Sequence, residues 1–127
     1  MAGERPAARV LEDESFVAFL DVRPLFPGHT LVVPRDHHET LTDLPGAEVG
    51  PLFDRVRALA VAMEDALGAQ GSFVAVNNRV SQSVPHLHVH VVPRTKGDGL
   101  RGFFWPRTKY GRGEMAAYGQ RIRDALG

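Results

Sequence analysis

Short apolar runs separated by turn-forming residues organise the first third of the chain. Residues 16–21 and 29–33 contain aromatic and β-branched residues, which favour strands. Residues 23–28, with two Pro and one Gly, lie between the two runs and are typical of a turn. The pattern predicts an antiparallel pair of strands, and Pro34 ends the second strand because proline cannot donate to a ladder.

Two other stretches repeat apolar residues at the spacing of a helix. Between Pro45 and Gly68, a residue suited to stop a helix, one helical face carries Leu52, Val56, Leu59, Met63 and Leu67. From Glu114 to Leu126, one face carries Met115, Tyr118, Ile122 and Ala125 or Leu126. The sequence therefore predicts a long central helix and a shorter C-terminal helix.

Two more strands are predicted in the second half of the chain, at residues 73–76 and 87–92. Pro93 is expected to end the second of them. Strands, a helix, further strands and a final helix in this order indicate an α+β domain with an antiparallel sheet. Neither a repeat nor a linker divides the chain, so residues 1–127 are expected to form a single domain.

The composition is that of an ordinary globular protein and narrows the function by exclusion. The 127 residues are 43% hydrophobic, and 15 Lys and Arg balance 15 Asp and Glu. A neutral chain is poorly suited to extended nucleic acid or an anionic membrane, so neither partner is expected. There is no Cys for a disulfide or a Cys-based zinc site. Since no signal peptide or membrane span is evident either, we expect a cytoplasmic protein.

Three histidines alternate with apolar residues in the last predicted strand. Because side chains of a strand point alternately to its two faces, His86, His88 and His90 share one face. Leu87 and Val89 point to the other face, where they are expected to pack on the core. The pattern predicts a strand with one apolar side and one side lined by imidazoles.

Spacing alone leaves three interpretations of this imidazole face open. It is a solvated strand face, a metal site, or a set of nucleophilic and acid-base groups. Three His on one strand face are unusual, which disfavours the first interpretation. Three His with an open fourth position can hold a catalytic zinc ion. An imidazole, whose pKa lies near neutrality, can also attack an electrophile directly.

The residues around the three histidines resemble the histidine-triad, or HIT, family. Residues 86–92 are similar to the family signature, in which three His alternate with apolar residues, and residues 82–84 to the stretch that leads into it. Residues 19–24 and 27–37 resemble the first two strands of the family. The resemblance covers roughly residues 12–95 and implies a HIT-like fold: an antiparallel sheet of about five strands, a long helix and a C-terminal helix, extended across a homodimer.

The same resemblance implies a nucleotide hydrolase or transferase that needs no metal or cofactor. His88, the middle residue of the triad, would attack the α-phosphorus of the nucleotide, and water would hydrolyse the nucleotidyl-histidine. His90 would bond a nonbridging or leaving-group oxygen, and His86 would orient His88. His37 resembles an upstream His that joins this network.

The loop before the triad is implied to contact the phosphate. Ser83 matches a hydroxyl that donates to the leaving group, and Gln82 matches an amide that approaches the phosphate. Asn77 or Asn78 matches an Asn near the ribose and phosphate. The chain departs from the family pattern here, because Ser81 stands where Gly is usual and the loop is shorter.

The nucleoside would be bound by the first predicted strand. Asp21 matches the residue that accepts hydrogen bonds from the ribose hydroxyls. Its neighbours Phe19, Leu20 and Val22 are candidates for the apolar slot that holds a purine base, and two of them are expected to form it.

The sequence thus favours hydrolysis at the α-phosphate of a purine nucleotide derivative, a phosphoramidate or a dinucleoside polyphosphate. A zinc hydrolase built on His86, His88 and His90 and a non-catalytic nucleotide-binding module are the alternatives. In the basic and aromatic segment 98–107, Phe104 and Trp105 are predicted to pack on the core or on a partner subunit. A substrate lid and a stacking surface for a second base are the other interpretations of that segment.

Overall fold

The structure, a computed structural model, describes residues 8–100 and 106–127, which contain five strands and two α-helices. The strands are β1 (Arg9–Glu12), β2 (Phe16–Leu20), β3 (Thr30–Pro34), β4 (Gly71–Ala75) and β5 (Val89–Arg94). The helices are α1 (Gly46–Leu67) and α2 (Glu114–Leu126), and a short 3-10 helix covers Leu41–Asp43.

The five strands form one antiparallel sheet in the order β1-β2-β3-β5-β4. This confirms the predicted α+β class, the antiparallel sheet and the two helices. Strand β1 was not predicted, because its four residues carry only Val10 and Leu11 as apolar side chains. Such a short edge strand is defined by its pairing with β2 and not by its own pattern.

Strand β5 differs at both ends from the predicted strand 87–92. It begins at Val89 and continues through Pro93 to Arg94. Pairing with β3 ends at Val91, and the carbonyl of Arg94 accepts a hydrogen bond from the N–H of Gln70 on the β4 side. Since successive residues face opposite neighbours, the nitrogen of Pro93 points to the side that β3 has left, where a missing N–H costs no ladder bond.

Helix α1 packs on one face of the sheet and forms the core. Its buried residues are Leu52, Val56, Leu59 and Met63. They meet buried residues of the sheet, among them Phe16, Val32, Val89 and Val91. The prediction was wrong for Leu67, which is 56% exposed because α1 ends there, before the left-handed Gly68.

Helix α2 begins and ends where it was predicted, but its apolar face lies in solvent. Every residue from 106 to 127 is exposed, so the C-terminal helix adds nothing to the core. Phe104 and Trp105, predicted to pack on the core or a partner, lie outside the described residues. In the described ranges no helix is long and apolar enough to span a membrane.

The loop between β2 and β3 depends on Gly28. This residue has a φ of +102°, a conformation that side-chain-bearing residues rarely adopt. A Cβ built on Gly28 would lie 2.7 Å from Cδ1 of Leu67. The hydroxyl of Thr30 also donates to the carbonyl of Gly28 at 2.8 Å, so this glycine fixes how the chain enters β3.

We expect Gly28→Ala to lower the free energy of unfolding by about 1–3 kcal/mol, because Ala is strained at this φ whatever the surrounding space. Gly46→Ala is the matched control, since no atom lies within 4 Å of its built Cβ and Gly46 begins α1. The control is expected to be neutral or mildly stabilising. Urea unfolding measures both, and equal losses in the two variants would contradict the role assigned to Gly28.

Candidate functional site

The pairing of β2, β3 and β5 decides which side chains share the imidazole face. Leu31 lies opposite His90, and Phe19 lies opposite Leu31. Since directly opposite residues of antiparallel strands point to one face, Phe19 and His90 share it. Leu20 alternates onto the face that α1 covers, and Val22, which follows β2, is exposed. Of the three candidates for the base slot, the sheet brings Phe19 to the imidazole face.

The triad alternates as its spacing predicts. Leu87 and Val89 are fully buried, whereas His86, His88 and His90 are half-buried. Only His90 belongs to β5, because the chain at His86 and His88 is extended but not paired as a strand. The chain at His86 and His88 is held instead by hydrogen bonds to the end of β3 and to the residues that follow it.

His29 reaches the triad from the end of the β2–β3 loop, and it was not predicted as a site residue. The N–H of Asp21 donates to the carbonyl of His29 at 2.8 Å, which extends the β2–β3 pairing by one step. The imidazole of His29 is 4% exposed, and its Nε2 lies 3.0 Å from Nδ1 of His90. The site therefore contains a buried histidine bonded to the last residue of the triad.

Hydrogen bonds fix the proton positions in the His29–His90 pair. The N–H of Leu25 can only donate, and it lies 3.0 Å from Nδ1 of His29, so Nδ1 accepts. The proton of neutral His29 is therefore on Nε2, which donates to Nδ1 of His90. Neutral His90 then carries its own proton on Nε2. Nε2 of His90 is thus set as a donor.

The pKa values of this pair support the neutral forms. Burial lowers the pKa of His29 below its ordinary value, and the Asp21 carboxylate only partly opposes that effect. Burial also lowers the pKa of His90, and repulsion from His88 and His29 lowers it further. Both imidazoles are therefore neutral near pH 7, as the hydrogen-bond pattern requires.

His88 is held with the opposite ring nitrogen protonated. Its Nδ1 lies 2.8 Å from the carbonyl oxygen of His86, and a carbonyl can only accept. Neutral His88 consequently has its proton on Nδ1 and a lone pair on Nε2. Residues 8–100 and 106–127 make no hydrogen bond to this Nε2, and the ring lies 5.1 Å from that of His90, centroid to centroid. The lone pair is available to an incoming electrophile.

His86 and His37 form a second pair, with Nδ1 of each ring 3.1 Å apart. Nε2 of His86 donates to the carbonyl of Pro34 at 2.9 Å. In neutral His86, Nδ1 therefore accepts and His37 donates. His38 takes part through its backbone, since its carbonyl accepts from the N–H of Leu87 at 2.7 Å. These contacts tie the segment before β5 to the chain that follows β3.

Residues 77–82 form a tight loop beside this pair. The side chain of Asn78 accepts a hydrogen bond from the N–H of Leu41 at 2.8 Å. The amide of Gln82 donates to the carbonyl of Glu39 at 2.6 Å and accepts from the N–H of Arg79 at 2.7 Å. Both side chains thus hold the loop in place, while Asn77 and Ser83 are exposed. A phosphate contact of the Gln82 amide, predicted from the resemblance, stays a prediction.

Two residues of this loop have left-handed backbones, Arg79 with a φ of 70° and Ser81 with a φ of 60°. Residues other than glycine seldom adopt this region, because their Cβ then crowds the backbone. Glycine, the residue that the family resemblance implies at position 81, would adopt such a φ without this crowding. In this chain Ser81 has the left-handed backbone despite its Cβ.

The carboxylate of Asp21 lies at the edge of the imidazole cluster. Its Oδ1 accepts from the N–H of Arg23 at 2.9 Å, and its Oδ2 lies 3.8 Å from Nε2 of His29. Asp21 is half-buried, so it keeps access to solvent. Its carboxylate lies close to the His29–His90 pair, and a carboxylate oxygen has acceptor sites to spare for hydroxyl donors.

In the part of the chain that the structure describes, one group of His, Asp and Glu side chains brings three ligand atoms within 4.8 Å of one another. It consists of Asp21, His29 and His90, not of the three triad residues that the zinc alternative requires. A metal ligand needs a lone pair, but Nε2 of His29 carries a proton as long as Leu25 donates to Nδ1. The hydrogen bonds therefore favour a proton on Nε2 of His29 over a metal ion bound to this group.

Sequence similarity identifies the class of protein that this fold and site define. A family model described as the HIT domain matches residues 2–97 of the 127. An uncharacterised HIT-like protein of Methanocaldococcus jannaschii is 42% identical over 99 residues, which are 76% of either chain. One of Mycobacterium tuberculosis is 35% identical over 99% of this chain and 88% of its own length. The chain belongs to the HIT family, as its motifs predict.

Two relatives carry names that state an activity. An adenylylsulfatase of Arabidopsis thaliana is 33% identical over 77% of this chain and 51% of its own length. The asymmetrical bis(5'-nucleosyl)-tetraphosphatase of Schizosaccharomyces pombe is 39% identical over 64% of this chain and 46% of its own. Both names describe hydrolysis of a nucleotide derivative, and this chain spans about half the length of either protein.

Solved structures show the same fold. A crystal structure of a HIT family member from Bacillus subtilis matches 98% of this chain and 92% of its own, with a TM-score of 0.86 and 31% identity. A zinc-bound histidine triad family protein from Mycobacterium smegmatis matches 97% of this chain and 91% of its own, with a TM-score of 0.73 and 36% identity. These likenesses confirm the HIT fold.

We expect the free energy of unfolding to decrease as the pH is lowered from about 7.5 to about 5.5. His29 and His90 have lower pKa values in the folded protein than the ordinary 6.5 of the unfolded chain. Below about pH 6.5 the unfolded chain thus binds protons that the folded protein does not, and the loss levels off below the lowered pKa values. Each such proton contributes at most about 1.4 kcal/mol per pH unit.

Urea unfolding at several pH values measures this slope. His29→Gln removes one of the two titrating groups and is expected to give a shallower slope than the wild type. Carboxylates with lowered pKa values, Glu12 beside Arg35 and Asp98 beside Arg94, lose their contribution only at lower pH. Stability that is flat or increases from pH 7.5 to 5.5 would contradict the neutral pair.

Proposed function

We propose that this protein hydrolyses the α-phosphate bond of a purine nucleotide derivative through a covalent intermediate on His88. The observation that carries the proposal is the hydrogen bond from Nδ1 of His88 to the carbonyl of His86, which leaves the lone pair on Nε2. A neutral imidazole in this tautomer is prepared to attack phosphorus without losing a proton first.

In the first step, the lone pair of His88 Nε2 forms a bond to the α-phosphorus while the bond from phosphorus to the leaving group breaks. The ring becomes cationic, and its Nδ1–H continues to donate to the His86 carbonyl, which disperses part of that charge. In the second step, water attacks phosphorus and loses a proton, which balances the proton taken up by the departed leaving group. The N–P bond breaks, its electron pair returns to Nε2 and the nucleoside monophosphate leaves. Neutral His88 is then restored.

His90 supports the reaction as a donor. Its Nε2–H is directed by the bond that His29 makes to its Nδ1, so it can donate to an oxygen of the phosphate. Nε2–H of His90 can donate this hydrogen bond while the ring is uncharged. Burial lowers the pKa of both His29 and His90 and keeps both rings neutral. His29 is a positioning residue in this scheme, since it touches His90 and not the substrate.

The nucleoside is assigned to the strand ends beside the triad. Asp21 has a carboxylate oxygen close to His29 and is accessible, which suits it to accept from ribose hydroxyls. Phe19 lies on the imidazole face and is half-buried, so its ring supplies apolar surface to a base. Leu20 and Val22 have no comparable position. Ser83 and Asn77 remain candidates for the phosphate and ribose because both are exposed in the segment of chain that leads to the triad.

Two substrate classes are favoured, a nucleoside phosphoramidate and a dinucleoside polyphosphate. The phosphoramidate follows from the family resemblance alone, whereas the relative named bis(5'-nucleosyl)-tetraphosphatase supports the dinucleoside polyphosphate, and the relative named adenylylsulfatase supports cleavage next to an adenylyl group in general. A zinc-dependent reaction is the second candidate, because one solved family member is described as zinc-bound. The third candidate is a nucleotide-binding module without catalysis.

We expect His88→Asn to reduce turnover of an adenosine phosphoramidate by about three orders of magnitude or more, because the attacking lone pair is lost. Binding of AMP is expected to survive, since the phosphate and ribose contacts lie on other residues. Release of AMP measured by chromatography and AMP binding measured by calorimetry test this. His38→Asn is the matched control, because His38 enters the network through its backbone carbonyl.

Three outcomes would contradict the proposed chemistry. Turnover by His88→Asn at the wild-type rate would exclude the covalent intermediate. Loss of wild-type activity after exhaustive chelation, restored by zinc, would favour the metal mechanism. No AMP release from either a phosphoramidate or a dinucleoside polyphosphate by the wild type, with AMP still bound, would favour the binding module.

We expect His29→Leu to lower kcat by about 10- to 100-fold with a small change in KM, because Nδ1 of His90 loses the donor that fixes its tautomer. His29→Gln is expected to recover much of that loss, because its amide can donate to His90 and accept from Leu25. Steady-state kinetics of both variants test this. Equal kcat values in the two variants would show that His29 contributes by packing and not by its hydrogen bond to His90.

A further inference from the structure

Cleavage at His88 leaves a pair of electrons on the leaving group, and what becomes of that charge depends on the protons available at the site. The pair comes from the bond to phosphorus that breaks while Nε2 of His88 forms its own bond to phosphorus. An amine needs a proton in order to depart, whereas a polyphosphate or a sulfate departs as a stable anion. The groups of the imidazole face that can give up a proton therefore decide which leaving groups are accepted.

His90 has an N–H that can hydrogen-bond a phosphate oxygen but cannot readily be given up. The ring is neutral, so loss of its Nε2 proton would leave an imidazolate unless Nδ1 gained a proton in exchange. That proton could come from Nε2 of His29, which lies 3.0 Å from Nδ1 of His90. His29 would then need a new proton on its own Nδ1, where the N–H of Leu25 already donates at 3.0 Å. The transfer is therefore blocked at Leu25.

Positive charge on the His29–His90 pair is disfavoured as well. A cationic His29 would direct an N–H from Nδ1 at the N–H of Leu25, and burial lowers the pKa of this histidine. Burial, together with repulsion from His88 and His29, lowers the pKa of His90. The carboxylate of Asp21, with Oδ2 3.8 Å from Nε2 of His29, opposes these effects only in part. A carboxylate accepts hydrogen bonds and supplies no proton.

The other two triad histidines direct their protons at main-chain carbonyls. Nδ1–H of His88 donates to the carbonyl of His86 at 2.8 Å, and it still does so when the attack makes the ring cationic. Nε2–H of His86 donates to the carbonyl of Pro34 at 2.9 Å, and its Nδ1 faces His37. Among the described residues, His37 meets no histidine of the triad except His86. None of these rings offers a proton to a group that departs from the phosphorus beside His88.

We infer that this site has no general acid for the leaving group and therefore cleaves polyphosphates and sulfates, which depart as anions, faster than phosphoramidates. This selectivity rests on the proposed attack by His88. The electron pair of the broken bond leaves with the bridging oxygen, and solvent supplies a proton afterwards, as far as the pKa of the free leaving group requires. Nε2–H of His90 and the hydroxyl of Ser83, the candidate donor to the leaving group, stabilise the charge by hydrogen bonds and keep their protons.

Adenosine 5'-phosphate aryl esters made from phenols of graded acidity test the selectivity with a single nucleoside. The burst of phenol release reports the first step, before water attacks the intermediate. Because no proton moves to the leaving group, the rate constant of this burst is expected to fall steeply as the pKa of the phenol rises. For the two favoured substrate classes, kcat/KM of a diadenosine polyphosphate is expected to exceed that of an adenosine phosphoramidate by about 100-fold or more, since a general acid typically contributes that much.

His90→Gln separates a hydrogen-bond donor from a general acid. The amide of Gln can donate to a phosphate oxygen, but it does not release a proton. We expect this variant to be slower than the wild type and to depend on the phenol pKa with the same steep slope. His38→Asn is the matched control, because His38 enters the network through its backbone carbonyl, and it is expected to keep both the rate and the slope.

The possible failures of the selectivity and of the proposed function differ in what is measured. A burst that does not depend on the phenol pKa, or equal kcat/KM values for the two substrate classes, overturns the selectivity and leaves the His88 intermediate standing. A steeper slope in His90→Gln than in the wild type also overturns it, because His90 would then protonate the leaving group. A wild type that releases AMP from none of these substrates overturns the proposed function and the selectivity together.

Discussion

The antiparallel pairing of β3 with β5 is the constraint on which the rest of the site depends. It joins a part of the sheet built before α1 to a part built after it, and it sets Leu31 opposite His90. The same register carries His29 to within hydrogen-bond distance of His90, 61 residues further along the chain. Because side chains alternate, a shift of the β3–β5 register by one residue would turn His90 toward α1 and separate it from His29 and His88.

Main-chain groups, and not charges, then determine where each proton lies. The N–H of Leu25 and the carbonyls of His86 and Pro34 each allow only one role to the ring nitrogen that they meet. The outcome is one imidazole with a free lone pair beside another with a free N–H. A phosphate ester needs both, since its phosphorus accepts electrons while its oxygens accept hydrogen bonds. Burial keeps the pair at His29 and His90 neutral, so this division holds near pH 7.

Features with a local cause could be predicted from the sequence, and features caused by distant contacts could not. The face shared by His86, His88 and His90 follows from alternation alone, and the buried face of α1 follows from its period. His29 looks like any residue at the start of a strand, because its role depends on a partner 61 residues away. Strand β1 has only two apolar residues and so shows no pattern of its own, although its partner β2 follows it directly in the chain. The family motif predicts His88 as the nucleophile, and the hydrogen bond of its Nδ1 to the His86 carbonyl adds that Nε2 is the ring nitrogen with the lone pair.

Helix α2 shows the limit of periodicity in a different way. An apolar stripe at helical spacing indicates that one face of the helix is buried, but it does not indicate which surface buries it. In α1 the sheet of the same chain covers the stripe, which is buried except at Leu67, the last residue before the left-handed Gly68. In α2 the same kind of stripe stays exposed. Within residues 8–100 and 106–127 nothing covers that stripe, so its period predicts the helix but not the surface that would bury it, because such a surface is set by contacts beyond the helix itself.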